Sequence, residues 1–211
     1  MTSPRATPAT RPPTIGIVGG IGSGKSAVAR ALAALGCEVC VSDDLAREVL
    51  EFPDVRREVA ALVPATARAD GSIDRAVLGR AIFADAALRR RVESVMHPRI
   101  EAARRAQFAA APSSTRAFVI DAPLLLEVGL DRECDAILFV DAPREHRLAR
   151  VAATRGWDAA ELDRRESAQI PLESKRARAT DVVVNDADAA VLGARTAAAL
   201  EAILARPRRA T

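Results

Sequence analysis

The sequence has almost no lysine. Of its 31 basic residues only Lys25 and Lys175 are lysines, and the rest are arginines. A lysine kept against that bias marks a place where the two side chains are not interchangeable. Aromatic residues are nearly as scarce, at 3%. Few platforms therefore exist for stacking bases, and basic residues interleave with acids along the chain. Both features argue against a nucleic-acid surface despite a net charge of +3 and a pI near 9.1. There are three cysteines. Cys37 and Cys40 form a C-x-x-C pair, but no second pair or histidine cluster completes a zinc site, so they read as small core residues in a reducing cytoplasm. No run of eighteen apolar residues occurs, so no membrane span is expected. The opening MTSPRATPATRPP lacks the apolar stretch of a secretory signal and reads as a disordered tail over residues 1–13, with a second tail over 206–211.

The chain is globular in composition, with 49% hydrophobic and 28% charged residues over 211 positions. TIGIV at 14–18, CEVCVSD at 37–43, RAFVID at 116–121, DAILFVD at 135–141 and DVVVN at 181–185 are five short apolar strands. Helical patterns separate them, and the last helix is expected from about 188 to 204. This alternation predicts an α/β fold, a three-layer α/β/α sandwich around a five-stranded parallel sheet. The spacing is uneven. About seventy residues without a strand separate Asp43 from Arg116, more than a crossover needs, so a helical insertion is expected at about 47–112. A second helical excursion, about 144–180, carries eight arginines from Arg144 to Arg178 and reads as a lid. Residues 14–205 form the core domain to which both belong.

GGIGSGKS, from Gly19 to Ser26, matches G-x-x-x-x-G-K-[ST] and lies between a strand and a helix, the context of a P-loop NTPase. Glycines let successive backbone N–H groups converge on a phosphate, and the helix N-terminus adds partial positive charge. Gly19, Gly22, Ser23, Gly24 and Ala27 are expected to frame the nucleotide phosphates. Lys25 is expected to reach their oxygens as a compact point charge, and Ser26 to hold Mg²⁺ through its hydroxyl. No guanine-reading segment and no ABC-type signature is present, which leaves a small-molecule kinase ahead of a protein that binds nucleotide without turnover. Asp43 is expected at the carboxyl end of the second strand as a base for an acceptor hydroxyl, with Asp44 its competitor and a helix N-cap its structural alternative. Among the lid arginines, Arg150 and Arg155 are favoured for the transferred phosphate. Asp121 orients the acceptor or a metal-bound water, or caps the next turn. Asp141 is read as structural and Trp157 as packing. His97 precedes Pro98, where a helix is expected to break. Asn185 is expected beside the adenine.

Several segments in order resemble the dephospho-CoA kinase family. They are IGIVGGIGSGKSAVARALAALG, SDDLARE, RAIFAD with MHPRI, IDAPLLLEVGL and QIPLESKRARATDVVVN, spanning about Thr14 to Asn185. The resemblance implies transfer of the ATP γ-phosphate to the ribose 3′-hydroxyl of dephospho-CoA, with Mg²⁺ as cofactor. It implies Asp43 as base and a substrate-side role around His97. The expected partners are these small molecules, with no nucleic acid and no membrane, for a cytoplasmic monomer or weak homo-oligomer. The chain departs from the family where Val41 replaces the first acid of an Asp-Ala-Asp pattern, and where Ala27 replaces a threonine. It departs again in a spacing between Arg150 and Arg155 that is one residue longer.

Overall fold

The structure, a computed structural model, describes residues 11–206. Most of both expected tails lies outside that range. Within the first, Arg11 grips Asp135 through two guanidinium bonds of 2.9 and 3.1 Å, and Pro13 O accepts from Phe118 N.

Five strands form one sheet: β1 (Thr14–Gly19), β2 (Glu38–Val41), β3 (Phe118–Asp121), β4 (Ala136–Asp141) and β5 (Asp181–Val184), in the order β2-β3-β1-β4-β5. β1 pairs in parallel with β3 and β4, and β4 with β5. Strand alternation sets the faces. Ile15, Ile17, Val119, Leu138, Val140 and Val183 join one core with Val28 and Leu32 of α1 (Lys25–Ala34) and Leu192, Leu200 and Ile203 of α9 (Ala189–Leu204). Each such fully buried side chain contributes about 1.5–3 kcal/mol. Beside Gly16 on β1, a Cβ would meet Leu125 Cδ1 at 2.8 Å and Cys134 Sγ at 2.9 Å, so the segment after β3 packs on bare backbone. At the edge strand Val182 and Val184 stay 41% and 36% exposed, so β5 is not buried on both sides.

The second strand ends earlier than expected. Ser42 already opens α2 (Ser42–Leu50), whose N-cap is Val41, so Asp43 sits in a helical first turn and is not a side-chain cap. Acidic residues in a first turn complement the helix dipole, and Leu45 with Val49 gives the helix its buried stripe, which together explain the early start.

The chain divides into two compact units. One, Cys40–Ala111, is helical: α2, α3 (Pro53–Leu62), α4 (Arg75–Ala84) and α5 (Ala86–Ala110) enclose their own core of Val49, Val55, Val59, Ile73, Leu78 and Val92. Asp74 and Asp85 cap α4 and α5 through their carboxylates. The helix break expected at Pro98 does not occur; α5 runs 25 residues through it. Packing of Leu88, Val92, Val95, Met96 and Ile100 against the neighbouring helices outweighs the one lost backbone bond. The other unit holds the rest of the described residues. It includes α6 (Arg144–Arg155), ended by left-handed Gly156, then α7 (Ala159–Glu166) and α8 (Leu172–Ala177). No helix among the described residues is long and apolar enough to cross a membrane.

Candidate active site

The turn between β1 and α1 is built around glycines that no other residue could replace. Gly24 caps α1 at φ 96°, and Gly22 has φ 76°, both left-handed. A Cβ on Gly24 would lie 2.1 Å from Asn185 Nδ2. For the N–H groups of such a nest to converge, its carbonyls must face outward and find donors there. Arg150 Nη1 donates to Gly22 O and Ser23 O, each at 3.3 Å, and Asn185 Nδ2 to Ser23 O at 2.7 Å. Arg150 Nη2 in turn donates to Asn185 O and Oδ1 at 3.2 Å. Both ends of the Asn185 amide are thus engaged on the loop and on Arg150, and Asn185 is buried. Ser23 is buried, Ser26 is exposed on the first turn of α1, and the Ala27 N–H donates to Gly24 O at 2.9 Å.

Lys25 folds back onto the same loop, donating to Gly19 O at 3.1 Å and Gly20 O at 3.0 Å. Burial pushes its pKa from 10.5 down to about 8, against the pull of the Asp121 carboxylate; Lys175 and Arg155 push the same way as burial, and Glu166 opposes them. A partly buried ammonium whose negative neighbours do not offset its desolvation is poised to take anionic oxygens. Asp121 ends β3 in a buried position and is the strongest of the opposing charges on Lys25. Gly19, Gly22, Ser23, Gly24, Lys25, Arg150 and Asn185 are therefore gathered at one place, within electrostatic reach of Asp121 and Arg155.

Arg155, the last residue of α6, is exposed. Its guanidinium stands 4.7 Å from the Trp157 ring, and Arg165 stands 4.1 Å from the same ring. Trp157 packs against two cations, each such contact contributing about 0.5–1 kcal/mol at an exposed site. Asp141 pairs with Arg176, and its carbonyl accepts from Asn185 N at 2.7 Å, a structural role. Asp43 and His97 belong to the helical unit, on α2 and α5, and both are exposed. Asp44, the competitor of Asp43, pairs with Arg47.

Three residues escaped sequence reasoning. Lys175 is 1% exposed, and its ammonium lies 3.1 Å from Glu127 Oε1 and 2.8 Å from Gln169 Oε1. The scarcity of lysine that singled out Lys25 points equally to Lys175. Arg147 and Glu166, described below, lie inside a run of mixed charge that carries no such signal.

A parallel sheet in this order, with an N–H nest and lysine after its central strand, defines a P-loop kinase fold. A sequence profile described as dephospho-CoA kinase matches residues 13–190. The chain is 40% identical over 199 residues to the dephospho-CoA kinase of Deinococcus radiodurans, covering 94% of this chain and 96% of that one. It is 41% identical over 192 residues to that of Dechloromonas aromatica, covering 87% and 89%. Among solved structures, TT1252 from Thermus thermophilus superposes with a TM-score of 0.82 at 34% identity, over 92% of this chain and 98% of that one. The dephospho-CoA kinase from Campylobacter jejuni shares the fold, with a TM-score of 0.61 at 20% identity over 90% and 96% of the two chains. The chain belongs to the dephospho-CoA kinase family.

Proposed function

We propose that this protein transfers the γ-phosphoryl group of ATP to the ribose 3′-hydroxyl of dephospho-CoA, releasing ADP and coenzyme A. The observation that carries this reading is the nest of Gly19–Ser26 with a desolvated lysine folded over it. Its N–H groups bind the β-phosphate region, and Lys25 leaves the Gly19 and Gly20 carbonyls for the β and γ oxygens. Arg150 holds the loop's outer carbonyls, and Arg155 brings a second positive charge toward the transferred group. Asp43, exposed on the first turn of α2, takes the proton of the 3′-hydroxyl as its oxygen bonds to the γ-phosphorus and the bond to the ADP oxygen breaks. His97 contributes on the acceptor side.

The hydroxyl of Ser26 and the carboxylate of Asp121 are hard oxygen donors of the kind Mg²⁺ prefers. They fit an ion arriving with the nucleotide, and when bound it would neutralise charge on the β and γ oxygens. None of the three cysteines forms a disulfide, in keeping with a cytoplasmic enzyme. The test is ADP release with ATP and Mg²⁺, with and without dephospho-CoA, and identification of the product by mass. ADP formation that depends on dephospho-CoA and yields coenzyme A supports the reading. No effect of dephospho-CoA, with ATP still bound, overturns it.

A further inference from the structure

We infer that Arg147 and Glu166 form a clamp that sets the phosphate nest, acting as positioning residues for the nucleotide. The inference rests on the nucleotide-binding part of the reading above, not on the identity of the acceptor. Arg147 lies one turn before Arg150 on α6, and its side chain is 7% exposed; Glu166 ends α7, with a side chain 20% exposed. The two are ion-paired, and together they hold one residue of the loop. Glu166 Oε1 accepts the Ile21 N–H at 3.2 Å, and Arg147 Nη1 reaches Ile21 O at 3.5 Å.

Arg147 and Arg150 thus take the outward carbonyls of Ile21, Gly22 and Ser23 in succession. The loop is thereby held from its carbonyl side at three consecutive residues, and within it the Ser23 N–H donates to Gly20 O at 3.2 Å. Arg147 Nε is buried without an acceptor among the described residues. Such an atom is costly and calls for a reason, and the reason here is that the guanidinium is held by its tip against the loop.

The clamp also explains a glycine that the P-loop pattern does not require. Gly20 has an ordinary backbone, so alanine is sterically open to it on that count. A Cβ there would nevertheless meet Arg147 Nη1 at 2.9 Å and Cδ at 3.2 Å. Because Arg147 is buried and tied at its tip, it cannot swing away without breaking the pair. Gly22 is confined by the same residue, since its Cβ would lie 2.7 Å from Arg147 O.

The experiment measures MgADP affinity by calorimetry alongside steady-state kinetics, for Arg147→Ala, Glu166→Ala, Glu166→Gln and Gly20→Ala. Glu166→Ala leaves the Ile21 N–H without its acceptor and Arg147→Ala takes a donor from Ile21 O, and both alanine variants are expected to bind MgADP about tenfold more weakly. Their KM for ATP rises in step, while KM for dephospho-CoA stays within about twofold. Glu166→Gln keeps an acceptor for Ile21 N–H and loses only about threefold. Gly20→Ala reproduces Arg147→Ala, and the double variant is no worse than either single one, the signature of coupled residues. MgADP affinity within about twofold of wild type, with only the melting temperature lowered, would reduce the pair to packing and overturn the inference. If the alanine variants fail to fold, Arg147→Lys and Glu166→Gln keep the bulk and decide the question on the same readout. MgADP binding needs no acceptor, so a wild-type protein inert toward dephospho-CoA would sink the proposed reaction and leave the clamp standing.

Discussion

Lys25→Met should make the nucleotide-free protein more stable. The ammonium ordinarily titrates at 10.5 and is pushed to about 8 in the fold. Holding it charged at neutral pH costs about 3 kcal/mol relative to the unfolded chain. Methionine keeps most of the aliphatic stem and removes the charge. Gly19 and Gly20 each lose a donor, at 3.1 and 3.0 Å, which together return about 2 kcal/mol to the other side. The net gain of about 1 kcal/mol corresponds to a melting temperature raised by about 2–4 °C for a chain of this size.

The pH dependence carries the sign. The folded pKa is the lower one, so the unfolded chain binds more protons between about 8 and 10.5. Wild type therefore gains stability relative to the variant as pH rises through that window, and the variant's advantage disappears toward its upper end. Thermal unfolding of both proteins without nucleotide at pH 7 and pH 9.5 measures this. A variant that melts below wild type at pH 7, or a difference that does not change with pH, would refute the reasoning. The same variant should lose the stabilisation that MgADP gives wild type.

Other outcomes follow from the same geometry. In wild type, nucleotide oxygens raise the Lys25 pKa on binding, so MgADP affinity should fall by up to about tenfold per pH unit above 8, and a flat calorimetric profile to pH 9.5 would contradict this. Gly24→Ala, at φ 96° and 2.1 Å from Asn185, should abolish nucleotide binding and be seen as loss of MgADP-induced thermal shift. Asp43→Asn should cut kcat by about a hundredfold or more with ATP affinity kept, and unchanged turnover removes Asp43 as base. Lys175→Met should destabilise by about 2 kcal/mol by leaving the partly buried Glu127 without its cation, and Lys175→Met with Glu127→Gln, which removes the charge and keeps an acceptor for the Ile170 N–H, should recover part of that in urea titrations.

The strands were legible because each is a short apolar run closed by glycine, aspartate or asparagine, and the phosphate loop because its glycines and lysine have fixed spacing between a strand and a helix. Two boundaries were misjudged for physical reasons. Val41 and Ser42 carry no cap signature, so the early start of α2 depends on acids in its first turn and on packing. Pro98 is a breaker by local rules, yet the hydrophobic face of α5 carries the helix through it. The arginines could be counted but not sorted from sequence. Arg147, Arg150 and Arg155 lie on one helix in a mixed-charge run, and only the fold shows that the first is buried, the second grips the loop and the third stands over Trp157.

The two lysines and the arginines around them divide the work by shape. Arg150 faces two pairs of oxygens and meets them with a planar fork, Nη1 on Gly22 and Ser23 and Nη2 on Asn185. Lys175 meets a carboxylate and an amide oxygen in a space that is 1% exposed, where a compact ammonium fits and a guanidinium would need further acceptors for its remaining donors. Lys25 rests on two backbone carbonyls and, in the proposed reaction, exchanges them for phosphate oxygens. A rotatable point charge can make that exchange without a fixed plane to reorient. A sequence drifting strongly toward arginine would keep lysine where geometry or exchange forbids the fork. Both places lie within electrostatic reach of each other beside the nest.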